Sequence, residues 1–143
     1  MVISQGHLDH LGGLGYWAAQ RYLNAMGRAT VLAPVQIASK VEALLAAFAR
    51  LEGGSPYEVD VAPVDAGDRH VLRADMELEF FSTDHWVPTL GTRLIWSKRR
   101  LREELRGLDG DEIASRRRAG EEISETHHAA LLSYCADSGP GLF

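Results

Sequence analysis

Residues 3–15 read ISQGHLDHLGGLG, and no other stretch of the chain restricts its fold so strongly. Three residues able to hold a metal ion, His7, Asp9 and His10, stand within four positions and are followed at once by Gly12 and Gly13. Side chains two apart, such as His7 and Asp9, do not share a helix face. A tight loop at the end of a strand can converge them, and the short apolar run Met1–Ser4 reads as such a strand. Neutral imidazole and carboxylate are the ligand set of zinc, and of manganese or iron at mixed sites. The plainer reading is a polar loop before a helix, with Asp9 or His10 as its cap. On these residues alone both readings stand.

The rest of the chain decides what surrounds that loop. It has 143 residues, enough for one domain with a real core but not for two, so residues 1–143 are expected to form a single domain. Hydrophobic residues make up 45% and charged residues 24%, as in ordinary globular proteins. No apolar run reaches the length of a membrane span, and no basic, apolar leader opens the chain. The single cysteine, Cys135, excludes an internal disulfide and fits a reducing cytoplasm. A net charge of −5 argues against bulk electrostatic attraction to nucleic acid.

Apolar spacing predicts helices over Leu14–Met26 and Val35–Leu51, each closed by glycine, and short polar helical pieces over Leu101–Leu105 and Gly110–Arg118. Strands are predicted at Ala29–Ala33, Tyr57–Val61, Met76–Thr83, Thr92–Trp96 and Ala130–Cys135, the last of buried type. His70 falls in a predicted turn, GDRH, and His127 and His128 in a polar segment before the last strand. The order implies α/β layers around sheets.

Three stretches in sequence order then carry a resemblance. QGHLDHLGGL resembles the HxHxDH signature of the metallo-β-lactamase fold, in the form found in its ribonuclease Z-like branch. STDHWVPTLGTRLI, residues 82–95, resembles that branch's segment of a ligand histidine, a proline and a Leu-Gly step. LLSYCADSGPG, residues 131–141, resembles the strand whose aspartate bridges two metals, and GLDGDEIASRRRAGEEI between them is similar to the branch's Gly-Leu and Gly-Glu-x-Ile succession.

The resemblance implies an αββα sandwich, with strands before the signature and a last histidine ligand after the bridging aspartate that would lie outside this chain. It implies His7 and His85 at a first metal site, Asp9 and His10 at a second, and Asp137 bridging the two. Asp9 and His10 would be catalytic, and two divalent ions would be the cofactors: zinc, with manganese or iron as alternatives. The reaction implied is hydrolysis of a phosphodiester, in RNA, at a tRNA 3′ end or in a small molecule. Another ester (a lactone, a thioester or a sulfate ester) is the alternative, as is a non-catalytic remnant of the fold. Gln5 stands where the family has its first histidine, which weakens the first site, and a second subunit in a homodimer could complete what is missing.

Two basic runs remain, Lys98-Arg99-Arg100 with Arg102, and Arg116-Arg117-Arg118. They read either as a solvated face or, for Lys98, Arg99, Arg100 and Arg102, as a rim holding RNA phosphates. Trp86 follows His85 and is expected to line the pocket.

Overall fold

The computed structural model describes residues 1–142. Strand β1 (Ala29–Pro34) and strand β2 (Val59–Val64) pair in parallel, joined by helix α3 (Ala38–Leu51). Ala38, Val41, Leu45 and Ala49 recur at helical spacing and bury one stripe of α3. Helix α2 (Leu14–Leu23) packs beside it, and together they cover one face of the parallel pair around Ile3, Val31 and Ala33. The two helices approach closely: a Cβ on Gly15 would lie 2.8 Å from the Phe48 ring.

The second sheet is an antiparallel meander of β3 (Arg69–Arg73), β4 (Met76–Ser82), β5 (Leu90–Leu101) and β6 (Ser124–Tyr134). Alternation along these strands gives the sheet two unlike faces. Leu78, Phe80 and Leu90 point inward and meet Leu32 and Val64 of the parallel pair. The outer face carries an ion-pair ladder, in which Arg69 joins Glu77 and Glu79, Glu79 joins Arg93, and Arg93 lies over the Phe81 ring. Helix α4 (Gly110–Arg118) stands in the connection from β5 to β6; the Asp109 side chain caps it by accepting from the N–H groups of Asp111 and Glu112. The main layers therefore run helix, sheet, sheet, three of the four implied by an αββα sandwich. Among the described residues no helix is long and apolar enough to cross a membrane.

Residues 1–5 hold the two sheets together. Val2 forms a parallel bridge to Leu32, Ile3 N–H donates to the Leu32 carbonyl at 2.8 Å, and Leu90 N–H donates to the Ser4 carbonyl at 2.9 Å. The segment thus delivers Gln5 and the histidines to the point where β5 begins.

Several sequence expectations need correction. The first helix ends at Leu23 rather than Met26, and α3 begins at Ala38 because Val35–Ile37 form a turn after Pro34. Met1–Ser4 is extended but pairs through a single bridge rather than as a full strand. His70 lies in β3, not a turn; this edge strand is mostly exposed and lacks the apolar alternation that would have marked it. The strand expected at Thr92–Trp96 runs from Leu90 to Leu101, so Lys98, Arg99 and Arg100 are strand residues. The last strand begins at Ser124, includes His127 and His128, and is exposed along almost its whole length instead of buried. The parallel pair has only two strands and does not reach across to cover it, so Leu132 and Tyr134 stay open to solvent.

Because the Phe48 ring fills the space beside Gly15, Gly15→Ala should force α2 and α3 apart and lower stability by about 1–3 kcal/mol. Urea denaturation followed by circular dichroism would read this as a lower midpoint with unchanged slope.

Candidate metal centre

Three loops meet at one end of the sheets. The first is the signature itself, where His7 immediately precedes the single helical turn α1 (Leu8–Leu11) that holds Asp9 and His10. The second is the connection between β4 and β5, residues 83–89, which holds His85. The third follows β6 and holds Asp137. Residues from opposite ends of the chain, Gln5 and Asp137, touch directly: Gln5 Nε2 donates to Asp137 Oδ2 at 2.6 Å.

Two donor sets share the Asp137 carboxylate. His7, His85 and Asp137 form one, and Asp9, His10 and Asp137 the other, with the ligand atoms of each set within 4.8 Å of one another. His10 Nε2 lies 3.3 Å from Asp137 Oδ2 and 3.5 Å from Asp9 Oδ2, and His85 Nε2 lies 3.8 Å from Asp137 Oδ2. His85 Nε2 is buried and makes no hydrogen bond. A buried imidazole nitrogen without a partner is costly in a folded protein. A cation between His85 and Asp137 would satisfy it, so the residues present fit a divalent ion of the zinc, manganese or iron type.

The ring of His10 is prepared for the same role. Gln5 Nε2 donates to His10 Nε2 at 2.8 Å, which makes that nitrogen the acceptor. The proton must then sit on Nδ1, which donates to Ser4 Oγ at 2.9 Å. An imidazole fixed through Nδ1–H presents its Nε2 lone pair to a metal.

Gln5 organises the centre from behind. Its side chain is fully buried, and its Oε1 accepts from the Thr89 hydroxyl at 2.9 Å. Its amide group stands between His10 and Asp137, where a cation would otherwise link them. The hydrogen bond from Gln5 holds the Asp137 carboxyl below its ordinary range, against the opposing effect of desolvation. Asp137 is therefore ionised at neutral pH and acts only as an acceptor.

The Asp137 loop is clamped to the His85 loop. Thr83 Oγ1 donates to the Asp137 carbonyl at 3.0 Å, Gly139 N–H donates to the Asp84 carbonyl, and Gly141 N–H donates to Asp84 Oδ2 at 3.0 Å. A side chain at either glycine would displace Asp84: a Cβ on Gly139 would lie 2.6 Å from Asp84 Oδ2 and 3.1 Å from its carbonyl oxygen, and one on Gly141 2.7 Å from Oδ2.

The structure brings His7, Asp9, His10, His85 and Asp137 to one place, and Trp86 with them. It does not bring the basic run. Arg99 lies nine residues along β5 from Leu90, roughly 30 Å at about 3.3 Å per residue. Arg99 also pairs with Glu122, Arg102 with Glu104, and Lys98 lies over the Trp96 ring. Ser4, Thr83, Asp84 and Thr89 escaped the sequence reading. Thr83 and Asp84 precede His85, while Ser4 and Thr89 stand further from any ligand, and such polar residues are common on surfaces.

No family model matches the chain. It is 32% identical over 126 residues to the nuclear ribonuclease Z of Triticum aestivum, covering 88% of this chain and 71% of that protein. It is 29% identical over 138 residues to tRNase Z TRZ1 of Arabidopsis thaliana, covering 96% of this chain and 49% of that one. The match to chloroplastic tRNase Z TRZ2 of the same plant is 28% over 138 residues, covering 39% of that protein. The chain thus spans about half the length, or less, of the Arabidopsis relatives it matches. Among solved structures, a metallo-β-lactamase fold protein, YhfI from Bacillus subtilis, aligns with a TM-score of 0.45 at 14% identity, over 65% of this chain and 34% of that one. The layered sheets and the histidine–aspartate cluster agree with the metallo-β-lactamase fold that the signature resembles, and the match to the nuclear ribonuclease Z shows the family. Within that fold, this chain belongs to the ribonuclease Z family.

Gly139→Ala should push the Asp137 loop off Asp84 and weaken zinc binding about 10- to 100-fold, the usual cost of losing support behind a ligand. Calorimetric zinc titration of variant and parent would measure it. Equal affinities would show that the loop tolerates the displacement.

Proposed function

We propose that this chain is a metal-dependent phosphodiesterase of the ribonuclease Z type, acting on RNA and, in the manner its relatives' names indicate, on tRNA. One observation carries the reading: the Asp137 carboxylate is the common corner of two donor sets, the arrangement a two-metal hydrolytic site requires. Two divalent cations held there, zinc being the expected pair, would supply an acidified water as nucleophile and take up charge developing on a phosphoryl oxygen.

The chain's own residues have distinct parts in this reading. His7, His85 and Asp137 would hold the first ion, and Asp9, His10 and Asp137 the second. Asp9 is the most exposed of the five and stands at the mouth of the site, where its carboxylate can orient the water and accept its proton. His10, fixed by Ser4, keeps its Nε2 lone pair aimed inward.

Gln5 has two useful orientations. As it stands, Nε2 faces the donors, and an amide nitrogen offers no lone pair to a cation. Turning the amide brings Oε1 inward instead. Thr89 serves either state, because its single hydroxyl proton can go to Gln5 Oε1 or to the Val87 carbonyl 3.0 Å away. In the second case the hydroxyl accepts from the turned NH₂, so no buried hydrogen bond is lost at the back of the site.

The test is hydrolysis of a short RNA and of a small phosphodiester by the zinc-loaded chain, with a chelator abolishing both and added zinc restoring them. Asp9→Asn should lower turnover about a hundredfold or more, on the order expected for a proton-transfer group. Gln5→His should tighten zinc binding, since imidazole is the better donor to a borderline-soft ion. Unchanged affinity in that variant would place Gln5 outside the coordination sphere.

The basic run enters the proposal as a remote hold on the RNA strand. Arg99, Arg100 and Arg102 changed together to Ala should weaken RNA binding and flatten its salt dependence, by about 0.7 in the log–log slope for each phosphate no longer neutralised. The small phosphodiester, which cannot reach so far along β5, should be hydrolysed as before. A salt titration superimposable on the parent's would return these arginines to the role of a solvated, ion-paired face.

A further inference from the structure

Trp86 stands out among the residues around the metal centre. It is 80% exposed, although it lies in the short loop that also holds His85. The backbone beneath it is tied down: His85 N–H donates to the Thr83 carbonyl at 3.1 Å, Thr83 N–H to the Thr89 carbonyl at 3.3 Å, and Thr89 is bound to buried Gln5. The indole lies beside the candidate ligand histidines in tilted contacts, with ring centroids 4.9 Å from His7 and 5.8 Å from His85. The indole also lines an open cleft of about 610 Å³ together with Asp84, His85, Asp137 and Ser138.

A large aromatic side chain left in water forgoes the stabilisation of burial. Its neighbours in the cleft are carboxylates and a hydroxyl, which would suit a flat, polar-edged ring better than an aliphatic chain. We propose that Trp86 is a stacking platform for the nucleobase next to the phosphate that the metal centre holds. Every base has a π face, so such a platform grips any sequence while fixing one nucleotide's position. This inference rests on the reading of the chain as an RNA phosphodiesterase and adds the substrate-binding residue that orients the strand.

The test is a cycle of two deletions on the zinc-loaded chain. Binding of a short single-stranded oligoribonucleotide is measured by fluorescence anisotropy for parent, Trp86→Ala and Trp86→Phe. The same oligonucleotide is then used with an abasic residue at each position in turn. Trp86→Ala should weaken binding about 5- to 150-fold, the range for loss of one base–aromatic stack, and Trp86→Phe should recover most of it. One abasic position should weaken the parent by a similar factor and leave Trp86→Ala unaffected. A role confined to supporting His7 would keep the abasic penalty intact in Trp86→Ala, and that result overturns the platform. Equal affinity of parent and Trp86→Ala for the intact strand overturns it as well. Cleavage of RNA by the parent in those cases would leave the functional reading standing. A parent that neither binds nor cleaves RNA would remove the functional reading, and the platform with it.

Discussion

The buried amide of Gln5 ties the molecule together where its three functional loops meet. Its Oε1 takes the proton of Thr89 on the β4–β5 connection, and its Nε2 reaches His10 on the signature turn and Asp137 after β6. Each partner lies on a different segment of the chain. A fully buried amide left without these bonds would cost free energy of the order of 1–3 kcal/mol per unsatisfied group. The loops are therefore held in one relative arrangement by the need to satisfy one side chain. In the family pattern this position is a histidine. An amide in its place keeps the network closed, because its donor and acceptor ends can serve opposite sides of the site at once.

That closure depends on how Gln5 is delivered. Residues 1–5 lie against β1 and at the same time receive the first N–H of β5. The segment is thus a seam between the parallel pair and the antiparallel sheet, and it sets the angle at which the signature leaves the core. Packing beneath it is tight, with Ile3, Val31 and Ala33 in one cluster and Leu32 turned the other way into the cluster with Phe80 and Leu90. A site assembled from loops gains precision when the elements that launch the loops share one core.

Much of this could be read from the residues, and the parts that could not have physical causes. The helices α2 and α3 announce themselves because a buried stripe on a helix leaves a 3.6-residue period, as in Val41, Leu45 and Ala49. His7, Asp9 and His10 stand out because they cluster beside glycines in an expected loop, whereas His85 and Asp137 are pointed to only by the family resemblance. Strand β3 could not, since both its faces are largely wet and nothing enforces alternation. Strand β6 misled in the opposite direction: ALLSY looks like core, yet its burial depends on what lies across from it, and a two-stranded parallel sheet does not extend that far. The outer residues that hold the ligands were equally hidden. Ser4, Thr83 and Asp84 become meaningful only through distances to residues far away in sequence, which composition and period do not encode.

The distribution of charge follows the same logic. The basic residues are concentrated along β5 and on α4, and several are matched: Arg93 with Glu79, Arg99 with Glu122, Arg116 with Glu112 and Glu121. The metal centre is the opposite case, with the carboxylates of Asp9, Asp84 and Asp137 gathered there and histidines facing them. Exposed ion pairs stabilise little individually, but they remove the long-range positive field that an unpaired arginine stripe would create. What remains is a local negative potential at one end of the sheets, which concentrates cations where two imidazole–carboxylate sets already converge. On the proposed reading, cations gathered at the site would reverse its sign before a phosphate arrives, so an acidic chain need not repel a polyanionic substrate.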